Sequence, residues 1–158
     1  MPDAAIVEPP GDAESPPALV AWLAENVPGF RGPATMRQIT GGQSNPTFKV
    51  NAASGAYILR RKPLGQLLPS AHAVEREFRV LRALRHQGIP VPAAHALCED
   101  PEIAGATFYV MDFVPGRVFW DPRLPELTPA ERGQIYADMN RTIADIHRLD
   151  PHAIGLGD

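Results

Sequence analysis

Two residues of this chain stand out for the chemistry they offer together. Arg60 ends the run Ala56-Tyr57-Ile58-Leu59-Arg60, and Glu77 follows 17 positions later in Val74-Glu75-Arg76-Glu77-Phe78. A cation on a strand, held by a carboxylate on a helix, suits the binding of phosphate oxygens. The cation neutralises phosphate charge, and the carboxylate fixes the cation's rotamer while being compensated itself. Arginine adds a planar fork that can bond bidentately, where lysine is a point charge. Glu75 is a rival partner on another helix face. Taken alone, such a pair reads first as a surface ion pair worth about 0–1 kcal/mol. A second feature is Gly41-Gly42-Gln43-Ser44-Asn45. Glycines there let the backbone approach an anion, and successive N–H groups can point at its oxygens. The loop matches neither G-x-x-x-x-G-K-[ST] nor G-x-G-x-x-G, and by itself it reads first as a hairpin. The third feature is Met111-Asp112-Phe113-Val114-Pro115-Gly116, an apolar run broken by Pro-Gly, which leaves backbone C=O and N–H groups without strand partners.

The surrounding pattern says which elements carry these residues. Residues 1–14 are small, acidic and proline-bearing, and are expected to form a flexible leader. Ser15-Pro16 reads as a helix cap with proline at the first position, and Leu19, Trp22 and Leu23 give a short amphipathic helix within 15–30. Strands are expected at Met36–Thr40, Thr47–Asn51 and Ala56–Arg60, with a turn at Ala52-Ala53-Ser54-Gly55. A helix is expected from a Ser70 cap to Gly88, its inner face marked by Val74, Phe78, Leu81 and Leu84. Arg76, Arg79, Arg82 and Arg85 fall on its solvated side. Ala93–Cys98 and Thr107–Met111 read as two more strands, joined by a turn over Glu99–Gly105. Residues 114–127 form a hinge and linker. Thr128-Pro129-Ala130-Glu131 is a capping box opening a long helix with the apolar stripe Ile135, Met139, Ile143 and Ile146. The fold class is α+β: a five-stranded antiparallel sheet with one packed helix, an added N-terminal helix and a final helix past the hinge.

Composition narrows the partners. The 158 residues are 44% hydrophobic and 21% charged, with a formal net charge of −3, which speaks for a globular protein without a nucleic-acid surface. Residues 1–30 hold five acids and no Lys or Arg. No apolar run approaches the roughly 18 residues of a membrane helix, and no signal peptide is visible. With Cys98 the sole cysteine, no disulfide or cysteine-metal cluster forms within the chain, and a cytoplasmic location is expected.

In order and separation, Thr40–Asn45, Tyr57–Pro63, Leu68–Phe78 and Tyr109–Gly116 resemble the aminoglycoside phosphotransferase, or choline-kinase-like, superfamily. The nearest branch is the kinase-like domain fused to acyl-CoA dehydrogenases. The stretch Ser70-Ala71-His72-Ala73-Val74-Glu75-Arg76-Glu77 is the most specific part, and the likeness runs from about Ala34 to Asp158. The resemblance implies a kinase-like N-lobe over 31–113, a C-terminal lobe starting at 128–158, and ATP and magnesium as cofactors. It implies transfer of the ATP γ-phosphate to a hydroxyl of a small molecule. Gly41, Gly42, Gln43 and Ser44 would cover the triphosphate. Arg60 would stand where most relatives place lysine, with Glu77 as its helix partner. The Asp112 carbonyl and the Val114 N–H would hold adenine.

The family's catalytic aspartate sits in a His-Gly-Asp segment, which this sequence lacks. His147-Arg148-Leu149-Asp150 resembles it only superficially and reads as a helix end. No catalytic residue and no metal ligand is therefore assigned in this chain, and the magnesium ligands are expected outside it. The chain is expected to be a truncated lobe, inactive alone. The alternative is a non-catalytic nucleotide-binding or interaction module, with a dimer through the 128–149 helix. The five histidines lack metal spacing and are expected at the surface or at helix ends. Trp120 is expected in a core, with the border of a substrate cleft as the other reading.

Overall fold

The structure is a computed structural model that describes residues 11–39, 45–65 and 72–157. Its elements are β1 (Ala13–Glu14), α1 (Pro17–Asn26), β2 (Ala34–Ile39), β3 (Thr47–Ala52), β4 (Gly55–Arg61), α2 (Val74–His86), β5 (Ala94–Cys98), α3 (Pro101–Ala104), β6 (Phe108–Asp112) and α4 (Pro129–His147). The chain divides into two compact units. One holds the described residues up to Arg79 with Ala93–Phe113, and the other holds Val80–Pro92 with residues 114–157.

The first unit is built on an antiparallel sheet in the order β1-β2-β3-β4-β6-β5. Five strands match the expected meander and its return pair. The sixth, β1, comes from within the expected leader: Ala13 and Glu14 pair with Met36 and Thr35. Two residues of pairing are too little for a periodic signal.

Register assigns the two faces. Arg60 pairs with Thr47 on one side and Tyr109 on the other, while Leu59 pairs with Phe48 and Val110. Side chains alternate along strands, so Val50, Leu59, Phe108 and Val110 share one face. Leu19, Leu23, Val27 and Phe30 from α1 and its exit cover that face in a single core cluster. The Trp22 ring meets Phe108 edge-on at 5.0 Å. Each such fully buried side chain contributes about 1.5–3 kcal/mol of transfer free energy. The other face carries Arg60 and Tyr109, with Lys62 continuing beyond the end of β4.

Local chemistry places the ends of α2 and the first helix. Gly88, in the left-handed region at φ 76°, closes α2. Its N–H bonds the Arg85 carbonyl and the Ile89 N–H bonds that of Leu84, a Schellman motif anchored by buried Ile89. Residues 66–71 lie outside the described residues, so the expected Ser70 cap does too. At α1 the expectation needs correction: Pro16, not Ser15, occupies the N-cap, and no side chain caps the helix. Ser15 instead donates its backbone N–H to Ala34, tying the helix entry to β2. The expected turn at 99–105 contains the one-turn helix α3, capped by the Asp100 carboxylate and closed by left-handed Gly105.

In the second unit, α4 has the expected capping box: Thr128 Oγ1 accepts from the Glu131 N–H, and the Glu131 carboxylate accepts from the Thr128 N–H. Residues 114–127 contain no helix or strand. No side chain of α4 is fully buried, and Met139 and Ile143 are about half exposed. No helix among the described residues is long and apolar enough to cross a membrane.

Candidate functional site

The site is assembled where the end of β4, the first turns of α2 and the middle of β6 meet within the first unit. Arg60 Nε lies 2.9 Å from Glu77 Oε2, both side chains about one-third exposed. This is a charge contact and not a directed hydrogen bond: the Nε–H itself finds no acceptor in line. The rival pairing is also resolved. Glu75, on the adjacent helix face, takes Lys62 at 2.7 Å. Burial pushes the Glu75 carboxyl up, but the Lys62 hydrogen bond and charge outweigh it and hold the group below the usual glutamate range. Two acids two positions apart on α2 thus serve two cations two positions apart, one on β4 and one just past its end.

Glu77 has further partners. Tyr109, the cross-strand neighbour of Arg60, donates its hydroxyl to Glu77 Oε2 at 3.1 Å. Asn45 donates Nδ2 to Glu77 Oε1 at 2.9 Å. Asn45 is buried, and its Oδ1 lies 3.0 Å from His72 Nδ1, which is therefore the donor. The Tyr109 hydroxyl is pushed well above the ordinary tyrosine value by burial first and by the Glu77 charge second, so it remains a donor at neutral pH. His72 precedes α2 at φ 58°, a left-handed conformation uncommon outside glycine.

The remaining expected site residues are Gly41, Gly42, Gln43, Ser44, Asp112 and Val114. Gly41, Gly42, Gln43 and Ser44 are outside the described residues. Asp112 ends β6, where its carboxylate binds His95 Nε2 at 2.7 Å and the Ala93 N–H at 3.2 Å. His95 sits at the register irregularity of β5, between Ala94 and Ala96, and this aims its ring at the strand end. Val114, two residues later, is exposed. Lys49 caps the Phe113 ring at 4.1 Å. Trp120 is not in a core but 81% exposed, so that expectation is overturned: in the irregular segment around it the buried positions are taken by Leu124 and Leu127. Arg76, Arg79, Arg82 and Arg85 are exposed, as the helical periodicity required.

Sequence reasoning missed Asn45, Tyr109 and His72. Tyr109 had a usable signal, because strand alternation puts it on the Arg60 face once the two strands are paired. Asn45 and His72 had none, since their contacts join segments 27 positions apart.

The geometry brings a guanidinium on β4 against a carboxylate on α2, with Glu77 facing Arg60 Nε at 2.9 Å. Among the described residues no three His, Cys, Asp or Glu side chains gather as a metal site, so no step is assigned to a metal here.

Comparison with known proteins gives these groups a context. Residues 35–158 match the model of the phosphotransferase enzyme family. The chain is 46% identical to acyl-CoA dehydrogenase family member 11 of Rattus norvegicus over 143 residues, covering 88% of this chain and 18% of that protein. It is 48% identical to acyl-CoA dehydrogenase family member 10 of Mus musculus over 125 residues, covering 79% of this chain and 12% of that one. A crystal structure from Ralstonia eutropha, named as an aminoglycoside phosphotransferase, superposes with a TM-score of 0.77 at 49% identity, over 89% of this chain and 40% of that chain. The chain thus spans less than one-fifth of these curated relatives and two-fifths of the solved structure. With the family match covering most of its length and the fold shared with a solved member, the chain belongs to the phosphotransferase enzyme family, on a kinase-like α+β fold.

Proposed function

We propose that this chain is the ATP-binding lobe of a phosphotransferase that moves the γ-phosphate of ATP to a hydroxyl of a small molecule. The observation that carries the reading is the Arg60–Glu77 pair, 2.9 Å apart on the face of the sheet opposite the apolar core. Buried ion pairs cost desolvation and need further hydrogen bonds to hold. This pair is about one-third exposed, its carboxylate is held by such bonds from Asn45 and Tyr109, and a cation so braced suits an anionic ligand better than it suits stability.

Bound ATP supplies the phosphoryl group. Arg60 would bind and orient the α- and β-phosphate oxygens, neutralising charge that otherwise resists an approaching oxygen nucleophile. Glu77 would keep the guanidinium in one rotamer. The backbone at Asp112 and Val114 would take the adenine edge, and Gly41–Ser44 would cover the phosphates. These 158 residues hold no His-Gly-Asp segment to supply a general base, so the lobe by itself binds nucleotide without turning it over. The ligands of the magnesium that accompanies ATP would come from outside these 158 residues.

The test is calorimetric titration of the purified chain with Mg-ATP. Binding is expected, and Arg60→Ala should weaken it about 10- to 100-fold, the range of one or two hydrogen bonds to a charged group at about 1.5–3 kcal/mol. No binding by the unmodified chain, or equal binding by the variant, removes the reading.

A further inference from the structure

The polar network behind Glu77 is larger than an ion pair requires. Glu77 accepts from Asn45 at 2.9 Å on one oxygen and from Tyr109 at 3.1 Å on the other, the oxygen that also faces Arg60. Asn45 is 4% exposed and Tyr109 is 2% exposed. Burying an amide and a phenol hydroxyl costs stability unless both are bonded, and an aliphatic or phenylalanine side chain would pack there without that demand. Asn45 is in turn fixed by His72, whose backbone is held in the left-handed region at φ 58°. Such strain persists where the surroundings over-determine it. The two donors reach Glu77 from different directions, one from the chain entering β3 and one from the middle of β6. The carboxylate can then rotate neither toward solvent nor toward Lys62, which Glu75 already occupies.

We infer that Asn45 and Tyr109 are positioning residues: they lock the Glu77 carboxylate, and through it set the direction of the Arg60 guanidinium toward the phosphates of a nucleotide. The inference rests on the proposed nucleotide site for its purpose, but not for its geometry. A locked carboxylate lowers the entropy the arginine loses on gripping phosphate. The same contact from a loose glutamate would leave the fork searching rotamers until ligand arrived. Tyr109 suits this because its hydroxyl stays protonated at neutral pH and always donates.

Two readouts on the whole chain separate the parts of the claim. The first is the 15Nε order parameter of Arg60 by NMR, without ligand. Tyr109→Phe removes one oxygen from a buried ring and should leave the fold intact, yet lower the Arg60 order parameter, with Asn45→Ala lowering it further. An unchanged Arg60 signal in Tyr109→Phe overturns the lock whatever the chain binds. The second is Mg-ATP affinity in a double-mutant cycle. Tyr109→Phe should weaken binding about three- to tenfold, the worth of one hydrogen bond passed on to the cation. In a Glu77→Gln background the same change should have an effect below about twofold, because the path it acts through is gone. A full Tyr109→Phe effect persisting in that background would show that Tyr109 acts without Glu77, and would sink the inference. Should the unmodified chain bind no ATP while Arg60 remains ordered by Tyr109, the nucleotide reading fails and the lock stands as a structural device.

Discussion

The sheet unit and helix α4 are held together by different physics. In the sheet unit, Leu19, Leu23, Val50, Phe108 and Val110 are completely buried, and α1 closes the core from one side. In α4 nothing is fully buried, and Met139, Ile143 and Ile146 show 51%, 48% and 37% of their surface. What α4 has instead is local: a complete capping box, proline at its first position, and the (i, i+3) pairs Arg141–Asp138 and Arg148–Asp145. A helix of 19 residues can be sustained by such terms only marginally, since helical stability in proteins comes mostly from packing. The sheet unit is therefore the part whose stability its own side chains explain, and it is where the candidate site sits.

The largest expected contrast is between core truncations. Phe108→Ala should cost about 3–5 kcal/mol and unfold much of the sheet at moderate urea. Ile143→Ala on the exposed stripe should change stability by less than about 0.5 kcal/mol. Equal losses in chemical denaturation would break the distinction. Next, Thr128→Ala removes the cap of α4 and should cost that helix about 1 kcal/mol. Faster amide exchange confined to the first turns of α4, with the sheet amides unchanged, is the expected pattern. Exchange spreading into β4 or β6 would show the two regions to be coupled.

The smallest effect is electrostatic. The Glu75 carboxyl is depressed in the folded chain by Lys62. A depressed carboxylate adds stability above its unfolded value and loses it as pH falls through the folded one. The Lys62–Glu75 contribution should thus be present at neutral pH and fade in acid, below about pH 4.3. Glu75→Gln should flatten that part of the stability curve.

Much of the fold was legible because its signals are periodic or chemical. Alternation marked the β3 run, β-branched and aromatic content marked β4, Gly88 marked the end of α2, and Thr128 with Glu131 marked the start of α4. The misses have physical reasons. β1 is two residues long, Ser15 is displaced from capping by the proline after it, and Trp120 lies in a segment without regular structure. For the site, the Arg60–Glu77 pairing followed from residue type and element order. Asn45 and His72 did not, because neither reveals from sequence that the loop before β3 meets the entry to α2. The choice between Glu75 and Glu77 also needed coordinates, since both are acidic and only the helix phase separates them.

Adjacent arginines on β4 offer the most direct test of the central claim. Arg60 faces Glu77, whereas Arg61 lies on the other side of the sheet, bonded to the Ala104 carbonyl at 2.7 Å. Mg-ATP affinity should be measured by calorimetry for Arg60→Gln and Arg61→Gln side by side. The account predicts a loss of about tenfold or more for Arg60→Gln and less than about twofold for Arg61→Gln. Equal losses from both substitutions, or a loss from Arg61→Gln alone, would contradict it.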